Sequence, residues 1–161
     1  MARTLIKDIL SSDRFGYQAL IRGWVRTKRD SRDFSFLEVN DGSTIKNIQV
    51  VADSAIPTYE CVLSASTGAS VEVTGAVIES PGKGQKYEIR ADAVKVYGGA
   101  DSETYPLQKK RHSFEFLREI AHLRPRTNTF GAVMRVRSAL SFAIHSFFRE
   151  RNFLYVHTPI I

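Results

Sequence analysis

Residues 33–41 read DFSFLEVND, and the alternation of this stretch decides the fold. With a period of two, Leu37 and Val39 fall on one face while Phe34, Phe36, Glu38 and Asn40 share the other. Such a strand has an apolar inner face and an outer face where aromatic rings stand among polar groups. That outer face is either covered by other structure or kept as a surface for a flat ligand.

Working outward, the neighbouring segments also read as short strands. YQALIRGWVRTKRD (17–30) precedes it and ends in a basic turn carrying Arg26, Lys28, Arg29 and Arg32. NDGS (40–43) turns the chain into TIKNIQVVAD (44–53), so the three segments predict a meander. SAIPTYECVLSAST (54–67) suits a short helix, with Tyr59, Val62 and Leu63 on its buried side. SVEVTGAVIES (70–80) and KYEIRADAVKVYG (86–98) are two further strands joined by the glycine-rich loop PGKGQ. Five strands with a helix between the third and fourth is the order of an OB-fold barrel, mainly β, over residues 1–100.

In that barrel the outer face of the first strands is the usual surface for single-stranded nucleic acid. Phe36 offers a plate on which an unpaired base can stack. Gln49 lies opposite Ile48 and Val50 in phase, and its amide can both donate to and accept from a base edge. Arg26, Lys28 and Arg29 supply phosphate contacts beside them. The chain's 23 Lys and Arg against 17 Asp and Glu, a net charge of +6, favour a polyanionic partner.

Other classes are excluded by composition. The lone Cys61 leaves no internal disulfide and no cysteine-based zinc site, which fits a reducing compartment. His112, His122, His145 and His157 have no metal-ligand spacing, so no metal is expected. MARTLIKDIL lacks a signal-peptide apolar run and nothing later reaches membrane-spanning length, so the expectation is a soluble, cytoplasmic protein with no membrane partner.

After the barrel the composition changes. GGADSETYPLQKKRHS (98–113) is polar, and residues 101–126 read as a hinge with a short helix, FEFLREIAHLR, capped by Ser113 and ended by Pro125. A longer helix runs from about residue 130 to 151, capped by Thr127 or Asn128. Its stripe of Val133, Val136, Leu140, Ala143 and Phe147 is widened by Phe130, Met134, Ile144 and Phe148. FLYVHTPII (153–161) then reads as an apolar strand, which makes 127–161 the start of another domain. An apolar helix face and strand without cover imply a larger protein or an obligate dimer.

At these residues a family resemblance enters. IRGWVRTKRDSRDFSFLEVNDGSTIKNIQVV resembles the anticodon-binding OB domain of class II aminoacyl-tRNA synthetases of the aspartate, asparagine and lysine subgroup. FFRERNFLYVHTPII resembles their motif 1, a long helix and a strand ending in proline and apolar residues. SFEFLREIAHLRPRTNTFGAVMRVRSAL resembles the asparagine enzymes, whereas the other two usually carry an RYLDL-like sequence there. Asn152 stands where motif 1 often has glycine.

The resemblance implies a tRNA anticodon loop as partner. It puts Phe36 under the middle anticodon base, Gln49 on the edge of that base, a uridine, Glu88 near the first base and Arg29 on the loop backbone. Pro159 matches the motif 1 proline, and the preceding helix, with Phe147 and Phe148, matches a homodimer interface. The complete family enzyme ligates its amino acid to tRNA with ATP and magnesium. Its motifs 2 and 3 lie beyond the present residues, and SPGKGQ sits between two strands without the helix a phosphate loop needs. The chain alone is therefore expected to hold no cofactor and to catalyse nothing. The alternatives are a free-standing OB module for single strands and the aspartate enzyme's equivalent.

Overall fold

The alternation around residue 36 is realised as one wall of a closed barrel. In the computed structural model, which describes residues 1–82 and 84–159, helix α1 (Ile6–Ser11) leads into β1 (Tyr17–Asp30), β2 (Phe34–Asn40) and β3 (Ile48–Asp53). Helix α2 (Tyr59–Ser64) follows, then β4 (Ser70–Glu79) and β5 (Tyr87–Gly98). The strands close in the order β1-β2-β3-β5-β4, with β3 and β5 parallel and the other pairs antiparallel. This is the five-stranded OB-fold barrel, with its helix between β3 and β4. Strand β1 is long enough to pair with β4 along Tyr17–Trp24 and with β2 beyond it. Leu37, Val39, Ile48, Val50, Val73 and Ile89 point inward and are fully buried.

Two helices complete the core, one of them unforeseen. Val62 and Tyr59 of α2 pack on the barrel as expected, but Leu63 is exposed, because a helix this short turns only one side inward and Leu63 lies about 100° from Val62. Helix α1 places Ile6 and Ile9, one turn apart, wholly within the core. Its first amides are held from a distance: Ile6 N–H donates to Asp41 Oδ2 at 2.9 Å and Lys7 N–H to Ser43 Oγ at 3.0 Å. Asp41 also accepts from the Ser43 amide and hydroxyl and faces Arg3 at 3.6 Å.

Burial works against ionising Asp41, yet these hydrogen bonds and the Arg3 charge together hold its carboxyl below the usual range. Its contribution is therefore present above the ordinary carboxylate pKa and lost as pH falls through the lowered value. Asp41→Ala is expected to cost about 1–2 kcal/mol at neutral pH. Urea melts at descending pH should show the gap to wild type closing in acid; a gap constant with pH would contradict the linkage.

The chain separates into Met1–Ser113 and Phe114–Ile161, so the boundary falls inside the stretch read as a hinge. Residues 100–113 belong with the barrel. Ser66 Oγ donates to the Ala100 carbonyl, Leu107 is buried, and a Cβ on Gly68, whose φ is +95°, would lie 2.7 Å from the Tyr105 ring.

In the second unit the short helix stops early. Helix α3 covers only Phe114–Glu119, ending before Pro125 can act on it, and is followed by turns and a 3-10 turn at Arg124–Arg126 that contains the proline. Thr127 caps α4 (Asn128–Arg149), its Oγ1 accepting from Phe130 N–H at 3.3 Å. Helix α4 buries none of its residues, and Phe147 and Phe148 are about half exposed.

The C-terminal end of α4 is a Schellman motif. Phe153 N–H donates to Phe148 O, Asn152 N–H to Arg149 O, and the Phe153 and Phe148 rings meet edge to face at 5.4 Å. Asn152 has φ +63°, the left-handed conformation that glycine takes most readily and asparagine tolerates, which explains its place in a glycine position. The expected strand is not formed: residues 153–159, including Pro159, carry no strand hydrogen bonding. An extended apolar segment becomes a strand only beside a partner, and none of the described residues supplies one. Ile160 and Ile161 lie outside the described residues.

Candidate nucleic-acid interface

Barrel register sets the site. Arg29 of β1 stands opposite Phe36 of β2, and Phe36 opposite Val51 of β3; the next row runs Glu38, Gln49, Glu88 across β2, β3 and β5. These rows share the outer face, so Phe36, Gln49, Glu88 and Arg29 come from four strands to line one open pocket of about 530 Å³. Phe34, Val51, Pro81, Gly82 and Gln85 complete its wall. Ser35, between the two phenylalanines, is buried and fixes the phase: its Oγ donates to Asp30 Oδ1 at 2.6 Å and lies 3.0 Å from the Tyr59 hydroxyl. The Arg29 guanidinium sits over the Phe36 ring, 4.9 Å from its centroid.

The two other basic residues expected here do not line the pocket. The β1–β2 register shifts between Val25 and Thr27, and the extra residue reverses the phase of the rest of β1. Thr27 and Arg29 thereby face outward opposite Glu38 and Phe36, while Lys28 falls opposite the core residue Leu37. Its ammonium donates to the Leu63 carbonyl at 2.9 Å and pairs with Asp30 at 3.4 Å. Arg26 lies at the shift itself.

Glu88 organises the floor. It is only 6% exposed, and its Oε2 accepts from Ser80 Oγ at 2.9 Å, Gln49 Nε2 at 3.3 Å and Gln85 Nε2 at 3.4 Å. Ser80 and Gln85 were not legible as site residues, since the PGKGQ loop reads only as a hairpin connection. The one signal was polar residues bracketing a glycine loop two strand positions from Glu88. With its NH₂ turned to a carboxylate, Gln49 has its carbonyl as the acceptor left for a ligand. An aromatic plate, aligned acceptors and a guanidinium match an unpaired base and its phosphate. Among the described residues no cluster of three or more His, Cys, Asp or Glu could hold a metal, and no helix is long and apolar enough to cross a membrane.

Residues 19–97 match the family of OB-fold nucleic acid binding domains of the tRNA anticodon type. Over its whole length the chain is 58% identical to the asparagine–tRNA ligase of Nitratidesulfovibrio vulgaris and 59% identical to that of Nostoc sp.. End to end, the chain is similar to part of the asparagine–tRNA ligases. It spans about a third of these curated relatives, 35% of the length of each of the two. The crystal structure of asparaginyl-tRNA synthetase from Pyrococcus horikoshii superposes with a TM-score of 0.83 at 21% identity, over 98% of this chain and 38% of that one. A putative aspartyl-tRNA synthetase from Leishmania major superposes nearly as well, TM-score 0.80 at 19% identity, over 98% of this chain and 34% of that one. The fold is thus shared across the subgroup, and it is the sequence that aligns the chain with the asparagine enzymes.

Proposed function

We propose that this chain recognises the anticodon of an asparagine tRNA as one part of an asparagine–tRNA ligase. The observation that carries the reading is the convergence of Phe36, Gln49, Glu88 and Arg29 on one pocket. Phe36 supplies the stacking plate for the middle base. The Gln49 carbonyl accepts the N3–H of uracil, a donor that cytosine lacks at the same position. Glu88 accepts from the donor edge of a guanine at the first position. Arg29 takes the backbone phosphate. In the whole enzyme, read as cytoplasmic, ATP and magnesium serve a catalytic domain, and α4 with Phe147, Phe148 and Pro159 forms the homodimer contact. Its exposed apolar side chains support that last reading.

The test is fluorescence anisotropy with an asparagine anticodon stem-loop whose middle uridine is kept or replaced by cytidine. The expected result is about tenfold weaker binding to the cytidine RNA, one hydrogen bond exchanged for two facing acceptors. Equal binding to both, abolished together by salt, would reduce the contact to phosphate attraction and sink the reading.

A further inference from the structure

The loop between β4 and β5 holds a hydrogen-bond arrangement that base recognition by Phe36 and Gln49 does not use. Ser80 Oγ has a single proton and gives it to Glu88 Oε2 at 2.9 Å. Toward Gln85 it therefore presents a lone pair, and Gln85 Nε2 donates to it at 2.8 Å. The same Nε2 reaches Glu88 Oε2 at 3.4 Å. Both neighbours of this amide are acceptors, so its orientation is fixed by the network: the NH₂ faces Ser80 and Glu88. The carbonyl is then the end of Gln85 not turned to them, on a side chain that lines the pocket.

The backbone protects the arrangement. Ser80 Oγ also accepts from the Gly82 amide at 3.1 Å, and Ser80 N–H closes the hairpin on the Lys86 carbonyl at 3.0 Å. A Cβ on Gly82 would stand 3.3 Å from Ser80 Oγ and 3.6 Å from Gln85 Nε2, inside the space the pair occupies.

We propose that Gln85 is a specificity-determining residue of the pocket, holding Glu88 in place and presenting its own carbonyl as a second acceptor beside it. Two neighbouring acceptors fit a base edge with two adjacent donors. Guanine has that edge, in N1–H and the N2 amino group. Inosine keeps N1–H and lacks the amino group, and adenine has an acceptor at N1. The inference rests on Glu88 reading the first anticodon base, as proposed above.

The experiment measures binding of anticodon stem-loops carrying guanosine, inosine or adenosine at the first position to wild type, Gln85→Ala, Gln85→Glu and Glu88→Ala, with a thermal melt of each. Wild type should prefer guanosine to inosine by about tenfold. Gln85→Ala should bring that ratio close to one at an unchanged melting temperature, and Gln85→Glu, which keeps an acceptor, should retain part of it. A ratio in Gln85→Ala equal to wild type overturns the proposal. Glu88→Ala separates the two levels. If it leaves the guanosine-over-adenosine preference intact, the underlying reading of Glu88 falls. If it abolishes that preference while Gln85→Ala changes nothing, only the role of Gln85 falls.

Discussion

Gly75→Ala should lower the stability of the barrel by about 3 kcal/mol and its melting temperature by roughly 10–15 °C. The reason lies in β4, which runs between β1 and β5 with Gly75 paired to Ala19 on one side and Ala91 on the other. A Cβ built on Gly75 would lie 2.2 Å from the Arg90 carbonyl oxygen and 2.9 Å from Ala91 Cα. Both are backbone atoms of a neighbouring strand, so no side-chain rotation relieves the contact. Strand β5 would have to move away from β4, and in a closed barrel that displaces β3 as well. Gly99→Ala is the control. A Cβ there meets nothing within 4 Å and the backbone is not left-handed, so its melt should coincide with wild type. If Gly75→Ala melts with Gly99→Ala, the close approach of β4 and β5 is wrong.

How legible the fold was depends on where each element finds its partner. The strands announce themselves because their period of two comes from burial on one face: β2 alternates buried and half-exposed from Ser35 to Asn40, and β3 does so throughout. Helix α1 does not, because it buries only two residues and its amides are capped by Asp41, which lies 35 residues away from Ile6. No local pattern contains that partner. The connector failed in the same way: residues 100–113 are polar enough to read as a linker, yet Tyr105 rests against a glycine that only the folded barrel brings near. The expected strand after α4 shows the converse, an apolar run with nothing among the described residues to pair with. By contrast, the left-handed Asn152 came through as a departure from glycine in the sequence, and the Schellman geometry supplies its cause.

For the site, residues in undisturbed strand phase were readable and residues beyond an irregularity were not. Phe36 and Gln49 emerge from alternation alone. Lys28 does not, since counting by two from Trp24 puts it outward and the register shift at Arg26 puts it inward. Glu88 was placed by family likeness. The physical reason for its position, a buried carboxylate fixed by Ser80, Gln49 and Gln85, needed the loop's three-dimensional course.

Phe36→Ala is expected to weaken binding of the asparagine anticodon stem-loop by about 1–3 kcal/mol, roughly 5- to 150-fold, with little change in the melt. The two readouts separate because the ring stands on the outer face of β2, while the core residues Leu37 and Ser35 on either side of it are untouched. Loss of the ring also leaves the Arg29 guanidinium without its aromatic support, so part of the effect is shared between the two residues. A double-mutant cycle with Arg29→Ala should therefore be less than additive. Stacking is isolated by removing the ligand's half of the contact. Against a stem-loop with an abasic middle position, Phe36→Ala should lose much less than on the intact RNA, because the ring has no base to cover and only its support of Arg29 at the phosphate remains. If the mutant loses as much on the abasic RNA as on the intact one, Phe36 acts by shaping the strand surface, and the uridine is held by something other than its ring.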